Sequence, residues 1–393
     1  MRFKRIFLLV LDSLGVGEAS DANNYGDVGS STLGHIKENY DLFVPNLKKL
    51  GFLNTVNMDE NNDVDAYYTI AKPTNLGKDT MAGHYEMMGV RNLFPFKTFN
   101  EKGFPKELID QIELVTNRRV IGNKVCDSEE IINELGERQV NYGSLIVYTS
   151  SDSNLQVAAH EEVIPPTQLY QYCEKIRKLT FHEAWRVGRV IARPFTGRTI
   201  NSGGNKFRFT ADRKDYAVKP PQSSVLDRLK EKGYQVIGIG KINDIFDGEG
   251  ITKVMKADNN IEGINKFSSV MDKNFTGLCY CNLSDFDSEY GHRRDVVGYA
   301  KAIEELDVEI PLMLNKLGTE DLLIITADHG NDPTFKGNDH TRENVPVILF
   351  SRNFKNPSRM EPLDTFASIG ATIAENFSVE TPSFGTSVLD KLI

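Results

Sequence analysis

A continuous apolar run, Leu322–Ile325, leads directly into the polar sequence Thr326-Ala327-Asp328-His329-Gly330. An uninterrupted apolar run is typical of a strand that is buried on both faces, as in a parallel sheet covered by helices. Its end offers a carboxylate and an imidazole, and both groups bind divalent metal ions. His340 follows at loop spacing and is a third candidate ligand. An isolated Asp-His pair more often forms an ordinary surface turn, so the prediction of a metal site depends on whether the pattern recurs.

Two other apolar runs end in the same way. Arg5–Leu11 leads into Asp12, and Leu278–Leu283 leads into a cluster that contains Asp285, Asp287 and His292. Strand ends of an open α/β sheet form the crevice where ligands bind. Spacing to His292 alone does not separate Asp285 from Asp287. Together the strand ends supply enough ligands for two divalent ions, a pair that can bind a transferring phosphoryl group. The candidate ligands are Asp12, Asp287, His292, Asp328, His329 and His340.

Thr80 lies where the loop Gly77-Lys78-Asp79 is predicted to turn into a helix. A helix N-terminus favours an anion because its backbone N–H groups and its dipole point toward the ligand. The commoner role of a threonine at such a position is to cap the helix. The other role is that of a nucleophile whose hydroxyl is activated by a metal ion. The surrounding sequence has to decide between these two roles.

Strands alternate with helices along most of the chain, which predicts an α/β fold with a mostly parallel sheet covered by helices on both faces. The sequence pattern changes over residues 93–217. Helices and strands are predicted there, but no Asp-His cluster occurs. The sequence therefore predicts a metal-binding core of residues 1–92 and 218–393, interrupted by an inserted α+β cap, or lid, of residues 93–217. Within the core, the long helix before Leu317 is expected to be interrupted near Pro311.

Charge and apolar runs limit the classes of partner. The chain has a formal net charge of −9, which argues against nucleic-acid and acidic-membrane partners because both favour basic surfaces. Its four cysteines show no zinc or disulfide-framework spacing. The apolar run Ile6–Leu11 is too short to cross a bilayer, and it lacks the pattern of a signal peptide. These features predict a soluble, cytoplasmic protein with no membrane partner.

Several sequence blocks together resemble the alkaline phosphatase superfamily and, within it, the phosphopentomutase family. In the predicted core these blocks are Asp12, Lys78-Asp79-Thr80 to Gly83-His84, Asp287 to Asp295, Thr326 to Asp332 and Asp339 to Glu343. The resemblance continues through the predicted cap and beyond it, in Tyr148 to Ser153, Ala158 to Glu162, Gly240 to Ile242 and Phe246 to Gly250. It therefore covers nearly the whole chain.

The resemblance implies an alkaline phosphatase-like core that holds two metal ions, usually manganese in this family. One ion is expected on Asp287, His292 and His340. The other is expected on four residues, Asp12, Asp328, His329 and the oxygen of Thr80. The family's substrate contacts correspond here to Ser150, Asp152, Arg189, Ile191 and Lys241.

The implied activity is that of an isomerase, an intramolecular phosphotransferase. Such an enzyme interconverts α-D-ribose 1-phosphate and D-ribose 5-phosphate, and the 2-deoxyribose pair, through a phosphothreonine at the position of Thr80. A sugar bisphosphate is the implied activator, because it keeps this threonine phosphorylated. The partners are then small pentose phosphates, and the protein is expected to be monomeric.

The chain departs from the family pattern at two places. Ala82 stands where the family usually has a second threonine, which leaves Thr80 as the hydroxyl three residues before Gly83. In the cap, Arg208 is shifted by one position within Phe207-Arg208-Phe209-Thr210, and a shift of one residue in a strand reverses the face. A bulge could restore the face. Otherwise Arg213 or Arg189 has to bind the phosphate alone.

Three alternatives to a pentose mutase fit parts of the pattern. A metal-dependent phosphatase or phosphodiesterase uses the same metals and nucleophile without a lid that excludes water. A phosphoglycerate mutase of the same superfamily has a different insert and usually a serine nucleophile. A non-catalytic binding protein has no need of the complete set of ligands.

Overall fold

The chain forms two compact units, one inserted into the other. The computed structural model describes residues 1–59, 63–92, 94–99, 101–150, 153–200 and 204–392. The core unit comprises Met1–Leu93 and Lys219–Ile393, and the inserted unit comprises Phe94–Val218. Each unit has a sheet of its own. Among the described residues, no helix is both long enough and apolar enough to cross a membrane.

The described residues form thirteen strands and eleven α-helices, which are numbered here in chain order. The strands are β1 (Arg5–Leu11), β2 (Tyr67–Ala71), β3 (Val120–Val125), β4 (Leu145–Thr149), β5 (Asn154–His160), β6 (Arg189–Ile200), β7 (Gly204–Phe209), β8 (Lys214–Ala217), β9 (Gln235–Ile239), β10 (Lys253–Met255), β11 (Gly277–Leu283), β12 (Asp321–Thr326) and β13 (Val345–Phe350). The helices are α1 (Thr32–Asn39), α2 (Pro45–Lys49), α3 (Thr80–Met87), α4 (Lys106–Thr116), α5 (Ser128–Tyr142), α6 (Pro166–Leu179), α7 (Val225–Glu231), α8 (Ile242–Ile245), α9 (Asn260–Met271), α10 (Val296–Lys316) and α11 (Ala367–Asn376).

The core unit is built on a seven-stranded sheet in the order β10-β9-β11-β1-β12-β13-β2. The four pairs from β10 to β12 are parallel, whereas β13 runs antiparallel to both β12 and β2. The apolar side chains of β1, β11 and β12 are buried along almost their whole length, and α7, α8 and α9 pack against β9 and β11. The sheet is therefore mostly parallel, as the uninterrupted apolar runs predicted.

Helix α10 runs without a break through Pro311, so the predicted interruption is wrong. Proline has no N–H, and the carbonyl of Asp307, four residues earlier, therefore lacks its usual helical partner. The side-chain amide of Asn46 donates to this carbonyl at 3.1 Å, and to the Asp307 carboxylate at 2.9 Å. A donor from outside the helix thus replaces the missing hydrogen bond, and the helix continues.

The inserted unit contains a six-stranded mixed sheet in the order β3-β4-β5-β6-β7, with β8 paired to β6. Neighbouring residues of β4 face opposite sides of this sheet, as the strand period requires. Val147 joins an apolar cluster with residues of α4 and α6, and Ile146 joins a second cluster with residues of α5. Helices therefore cover both faces of the sheet, and the unit has two apolar layers of its own.

We predict that protease first cuts the native protein next to the inserted unit, near residues 93 and 217. Linkers between compact units are the most accessible cleavage sites, whereas strands such as β1 are buried. Limited proteolysis with mass spectrometry of the fragments tests this expectation. First cuts within β1, β11 or β12 would contradict it.

Candidate metal centre

Three buried carboxylates lie at the ends of neighbouring strands in the core unit. Asp12 follows β1, Asp328 follows β12, and Asp287 lies in the π-helical turn Phe286–Gly291 after β11. The three strands are adjacent and parallel, with β1 between the other two. Parallel neighbours end at the same edge of a sheet, so the three side chains converge. Each carboxylate residue is at most 1% exposed.

The first ligand group consists of Asp287, His292 and His340. Asp287 Oδ2 lies 3.2 Å from His292 Nε2, and Asp287 Oδ1 lies 3.4 Å from His340 Nε2. The Nε2 atoms of the two histidines are 3.1 Å apart. One carboxylate and two imidazoles therefore face a common point, which is the arrangement that a divalent ion with nitrogen and oxygen ligands requires.

The second ligand group consists of Asp12, Thr80, Asp328 and His329. The Nε2 atom of His329 lies 3.4 Å from Asp12 Oδ1 and 3.5 Å from Asp328 Oδ2. The same atom lies 3.1 Å from the hydroxyl oxygen of Thr80. The His329 ring also stacks on that of His340, with centroids 4.1 Å apart, so the two groups are contiguous.

Backbone carbonyls fix the orientation of all three histidines. In each ring the Nδ1 atom lies within hydrogen-bond distance of a carbonyl oxygen, which can only accept a hydrogen bond. The Nδ1 atom therefore carries the proton, and the lone pair of the neutral imidazole is on Nε2, toward the carboxylates. The pairs are His292 with Asn338 at 2.7 Å, His329 with Gly330 at 3.0 Å and His340 with Lys78 at 3.0 Å.

Two carboxylate oxygens show that the centre fits a cation. Asp12 Oδ1 and Asp328 Oδ2 are buried and receive no hydrogen bond from the described residues, although His329 Nε2 lies within ion-pair distance of both. Burying an anionic oxygen without a hydrogen bond is costly. His292 Nε2 and His340 Nε2, 3.1 Å apart, face the same region and are within reach of one cation. The residues present are therefore suited to divalent metal ions.

Electrostatics keep the centre charged. Burial opposes ionisation of Asp287, yet His292 and His340 hold its pKa well below the usual range. Burial also opposes the charged form of Asp328, but His329 and His84 outweigh it and lower the pKa to about 2. Burial disfavours a cation at His329, whereas Asp328 and the other carboxylates raise its pKa to about 10. In the metal-free protein, His329 is thus an imidazolium that partly neutralises the carboxylates.

Thr80 does not cap helix α3, because Asp79 does. The Asp79 side chain accepts a hydrogen bond from the backbone N–H of Ala82 at 3.1 Å. Thr80 is the first residue of the helix, is 8% exposed and points its hydroxyl at His329 Nε2. Asp79 therefore has the capping role that was considered for Thr80, and the Thr80 hydroxyl lies among the candidate ligands.

The structure separates the two rival acids after β11. Asp285 accepts a hydrogen bond from the backbone N–H of Asn260 at the start of α9, at 2.8 Å. Asp287 lies within the first ligand group instead. Lys241, which follows β9, places its Nζ atom 3.3 Å from Asp12 Oδ2 and so belongs to the same edge of the sheet.

The remaining predicted substrate contacts belong to the inserted unit. Arg189 and Ile191 lie on one face of β6, and Arg189 is 3.8 Å from Asp215. The Ser150 hydroxyl accepts a hydrogen bond from the Asn154 side chain at 2.6 Å. Asp152 lies outside the described residues. The role of these residues in binding a substrate stays a prediction.

Arg208 lies on the face opposite to Arg189. It pairs with Thr196 in an unbroken antiparallel register between β6 and β7, and Thr196 is an odd number of residues from Arg189. The described part of this pairing has no bulge that would restore the family's face. Arg213 makes a two-point ion pair with Asp215, at 2.7 and 2.8 Å.

Three supporting residues were not assigned a role from the sequence. His84 Nε2 lies 3.4 Å from Asp328 Oδ2, and the Asn331 side chain donates to Asp287 Oδ1 at 2.8 Å. Arg294 joins the loops that carry the first ligand group. All three lie inside the sequence blocks that resemble the family, so their nearness to ligands along the chain was the available signal.

Comparison with known proteins identifies the superfamily. Residues 4–381 match the family model of the metalloenzyme superfamily. The chain belongs to the metalloenzyme superfamily. This is the alkaline phosphatase superfamily of metal-dependent enzymes, and the predicted alkaline phosphatase-like α/β fold class is confirmed.

Several solved structures are similar to this chain. Phosphoglycerate mutase of Leishmania mexicana, crystallised at low cobalt concentration, aligns over 98% of this chain and 97% of its own, with 11% identity and a TM-score of 0.50. A protein from Pyrococcus horikoshii aligns over 96% and 98%, with 13% identity and a TM-score of 0.48. An alkaline phosphatase superfamily protein from Vibrio parahaemolyticus aligns over 99% and 70%, with 12% identity and a TM-score of 0.45.

We predict that Asp328→Ala and His340→Ala each weaken metal binding. Asp328→Ala removes one ligand from the second group, and His340→Ala removes one from the first. The loss of metal affinity should therefore exceed the roughly 10–100-fold that follows from changing residues that only support the ligands. Elemental analysis after equilibrium dialysis measures the bound ions. His182→Ala is the control, because this exposed histidine lies in the inserted unit. Unchanged metal content in both ligand variants would remove the two-metal hypothesis.

We also predict that metal binding releases a proton from His329. With a pKa of about 10, the metal-free imidazole is protonated at pH 7 and must lose this proton to bind a cation. Affinity should therefore rise about tenfold per pH unit between pH 7 and pH 9. Calorimetry over this range measures the slope, which His329→Asn should reduce by about one proton. An equal slope in the variant would contradict the role of His329.

Proposed function

We propose that the protein is a phosphopentomutase, which interconverts α-D-ribose 1-phosphate and D-ribose 5-phosphate, and the 2-deoxyribose pair. The observation that carries the proposal is the position of Thr80. Its hydroxyl lies 3.1 Å from His329 Nε2, at the start of a helix whose cap is provided by Asp79. The sequence blocks shared with the phosphopentomutase family, in both units, support the pentose substrate.

The core unit would hold two divalent ions, for which we propose manganese. Asp287, His292 and His340 would bind one ion, and the second ligand group would bind the other. Ions held there would lower the pKa of the Thr80 hydroxyl and stabilise negative charge on the phosphoryl group. A sugar bisphosphate is the proposed activator, because it can phosphorylate Thr80 at the outset.

The chemistry is two phosphoryl transfers at Thr80. In the first, the phosphorus–oxygen bond to Thr80 breaks as a bond forms to the free hydroxyl of the pentose monophosphate, and the proton of that hydroxyl ends on the freed Thr80 oxygen, which releases it again in the second transfer. The product is a pentose bisphosphate. In the second, its other phosphoryl group moves to Thr80, and the sugar oxygen it leaves takes up a proton. The net change is the position of one phosphate on the sugar.

Residues of the chain orient these steps. The N-terminus of α3 favours the phosphate that Thr80 carries, because backbone N–H groups and the helix dipole are directed toward it. The Lys241 ammonium group, 3.3 Å from Asp12, offers a positive charge to a substrate phosphate. His84 pairs with Asp328, and Asp79 caps α3. We therefore give these two residues a supporting role and no step in the transfer.

The inserted unit is the proposed lid. A phosphothreonine beside metal ions is open to attack by water, and closure of a lid would prevent hydrolysis. We propose that Ser150, Asp152, Arg189 and Ile191 contact the pentose or its distal phosphate when the lid closes. We propose that the substrate binds to the face of β6 that carries Arg189 and Ile191. We also propose that the enzyme is monomeric and cytoplasmic.

Incubation of the protein with Mn²⁺, ribose 1-phosphate and a ribose bisphosphate tests the proposal. Ribose 5-phosphate as the main product supports a mutase. Release of inorganic phosphate instead identifies a phosphatase, and absence of any turnover favours a binding protein. The same assay with phosphoglycerates tests the second mutase class.

Variants of Thr80 test the nucleophile. We expect the bisphosphate to place a phosphate on the peptide that contains Thr80, as detected by mass spectrometry. Thr80→Val should abolish this label and lower turnover by roughly 10³-fold or more, whereas Thr80→Ser keeps a hydroxyl and should retain the label. Asp79→Ala should instead cost about 1 kcal/mol of stability through the lost cap. Phosphate on another residue, or near-normal turnover of Thr80→Val, would contradict the assignment.

A further inference from the structure

Arg294 joins three segments around the first ligand group. Its backbone adopts the left-handed conformation, with φ of 56°, directly after the π-helical turn. Among the described residues, its guanidinium donates to five oxygen atoms of nearby loops, and four of these are backbone carbonyls. The acceptors are Gly291 O at 2.8 Å, Asp332 O at 3.1 Å, Gly337 O at 2.6 Å, Asp339 O at 2.9 Å and the side-chain oxygen of Asn331.

Each acceptor lies next to a residue that orients the first ligand group. Gly291 precedes His292, and Asp339 precedes His340. Gly337 precedes Asn338, whose carbonyl accepts from His292 Nδ1 at 2.7 Å. Asn331 donates to Asp287 Oδ1 at 2.8 Å while its own oxygen accepts from Arg294. The three ligands of this group are therefore connected to one guanidinium.

The second ligand group has different supports. The backbone N–H of Ser13 donates to Asp328 Oδ1 at 3.0 Å, and Lys241 pairs with Asp12. Asp79 caps the helix that presents Thr80. None of the Arg294 contacts described above is made to these residues.

We infer that Arg294 is a positioning residue that sets the affinity of one of the two metal sites, the one formed by Asp287, His292 and His340. The inference rests on the proposed two-metal centre, but not on the pentose substrate. A guanidinium is planar and holds five N–H donors in a fixed fork, so it can join several carbonyls in one geometry. An ammonium group keeps the charge but lacks this fork, so Arg294→Lys separates geometry from charge.

The neighbouring residue provides a matched control. Arg293 is exposed and pairs with Glu289, one helical turn earlier, at 2.8 Å. It carries the same charge at almost the same distance along the chain from His292. Arg293→Lys therefore makes the same chemical change outside the network that joins the ligand loops.

The experiment is a titration of the chelator-treated, full-length protein with Mn²⁺, followed by equilibrium dialysis and electron paramagnetic resonance. The unaltered protein and Arg293→Lys should bind two ions and show the spectrum of a coupled pair. In Arg294→Lys, the second ligand group should keep its affinity for Mn²⁺, whereas the first ligand group should bind Mn²⁺ about 10–100-fold more weakly. At Mn²⁺ concentrations that saturate the unaltered protein, the variant should show the spectrum of single ions, and excess Mn²⁺ should restore the pair.

A second variant covers the case in which Arg294→Lys fails to fold. Asn331→Ser breaks the connection between Arg294 and Asp287 and leaves the other contacts of the guanidinium, so it should weaken the same site selectively. Two unchanged affinities in the variants that fold, or an equal loss in both sites, would overturn the inference. If the unaltered protein binds fewer than two ions, the two-metal centre itself is wrong, which the titration shows independently of any variant.

Discussion

Negative charge at one edge of the sheet is the constraint on which the rest of the centre depends. Asp12, Asp287 and Asp328 converge because β11, β1 and β12 are parallel neighbours. A buried ion without compensation costs several kcal/mol, so the fold needs positive charge at this point. In the metal-free chain the His329 imidazolium and the Lys241 ammonium supply part of it. A cation bound at this edge would replace the proton on His329, so folding and metal binding both require positive charge here.

Lys78 connects the first ligand group to the loop that leads into Thr80. His340 is oriented by the carbonyl of Lys78, two residues before Thr80. The Lys78 ammonium group lies 2.9 Å from Asp27 and 3.3 Å from Asp339, the residue before His340. The loop before α3 and the loop before His340 are therefore tied at both the backbone and the side chain of one residue.

The sequence predicted those features that depend on local pattern. Uninterrupted apolar runs located the strands, and polar residues at their ends located the candidate ligands. Features decided by distant partners were not accessible. Spacing did not separate Asp285 from Asp287, because the distinction depends on Asn260. The predicted helix break at Pro311 was wrong because Asn46, far away in sequence, donates to the Asp307 carbonyl that proline leaves without a helical partner. The face of Arg208 depends on its pairing with β6.

Gly83 shows how a residue without a functional group can determine the position of a candidate site residue, the Thr80 hydroxyl. A side-chain carbon at this position would lie 2.0 Å from the carbonyl oxygen of Asp328, so only glycine allows α3 to pack against the end of β12. The next residue, His84, lies 3.4 Å from the Asp328 carboxylate. The helix thus contacts both the backbone and the side chain of Asp328. Thr80 lies about one turn earlier on the same helix. The short distance between its hydroxyl and His329 therefore follows from the close approach at Gly83, while Asp79 satisfies the free end of the helix.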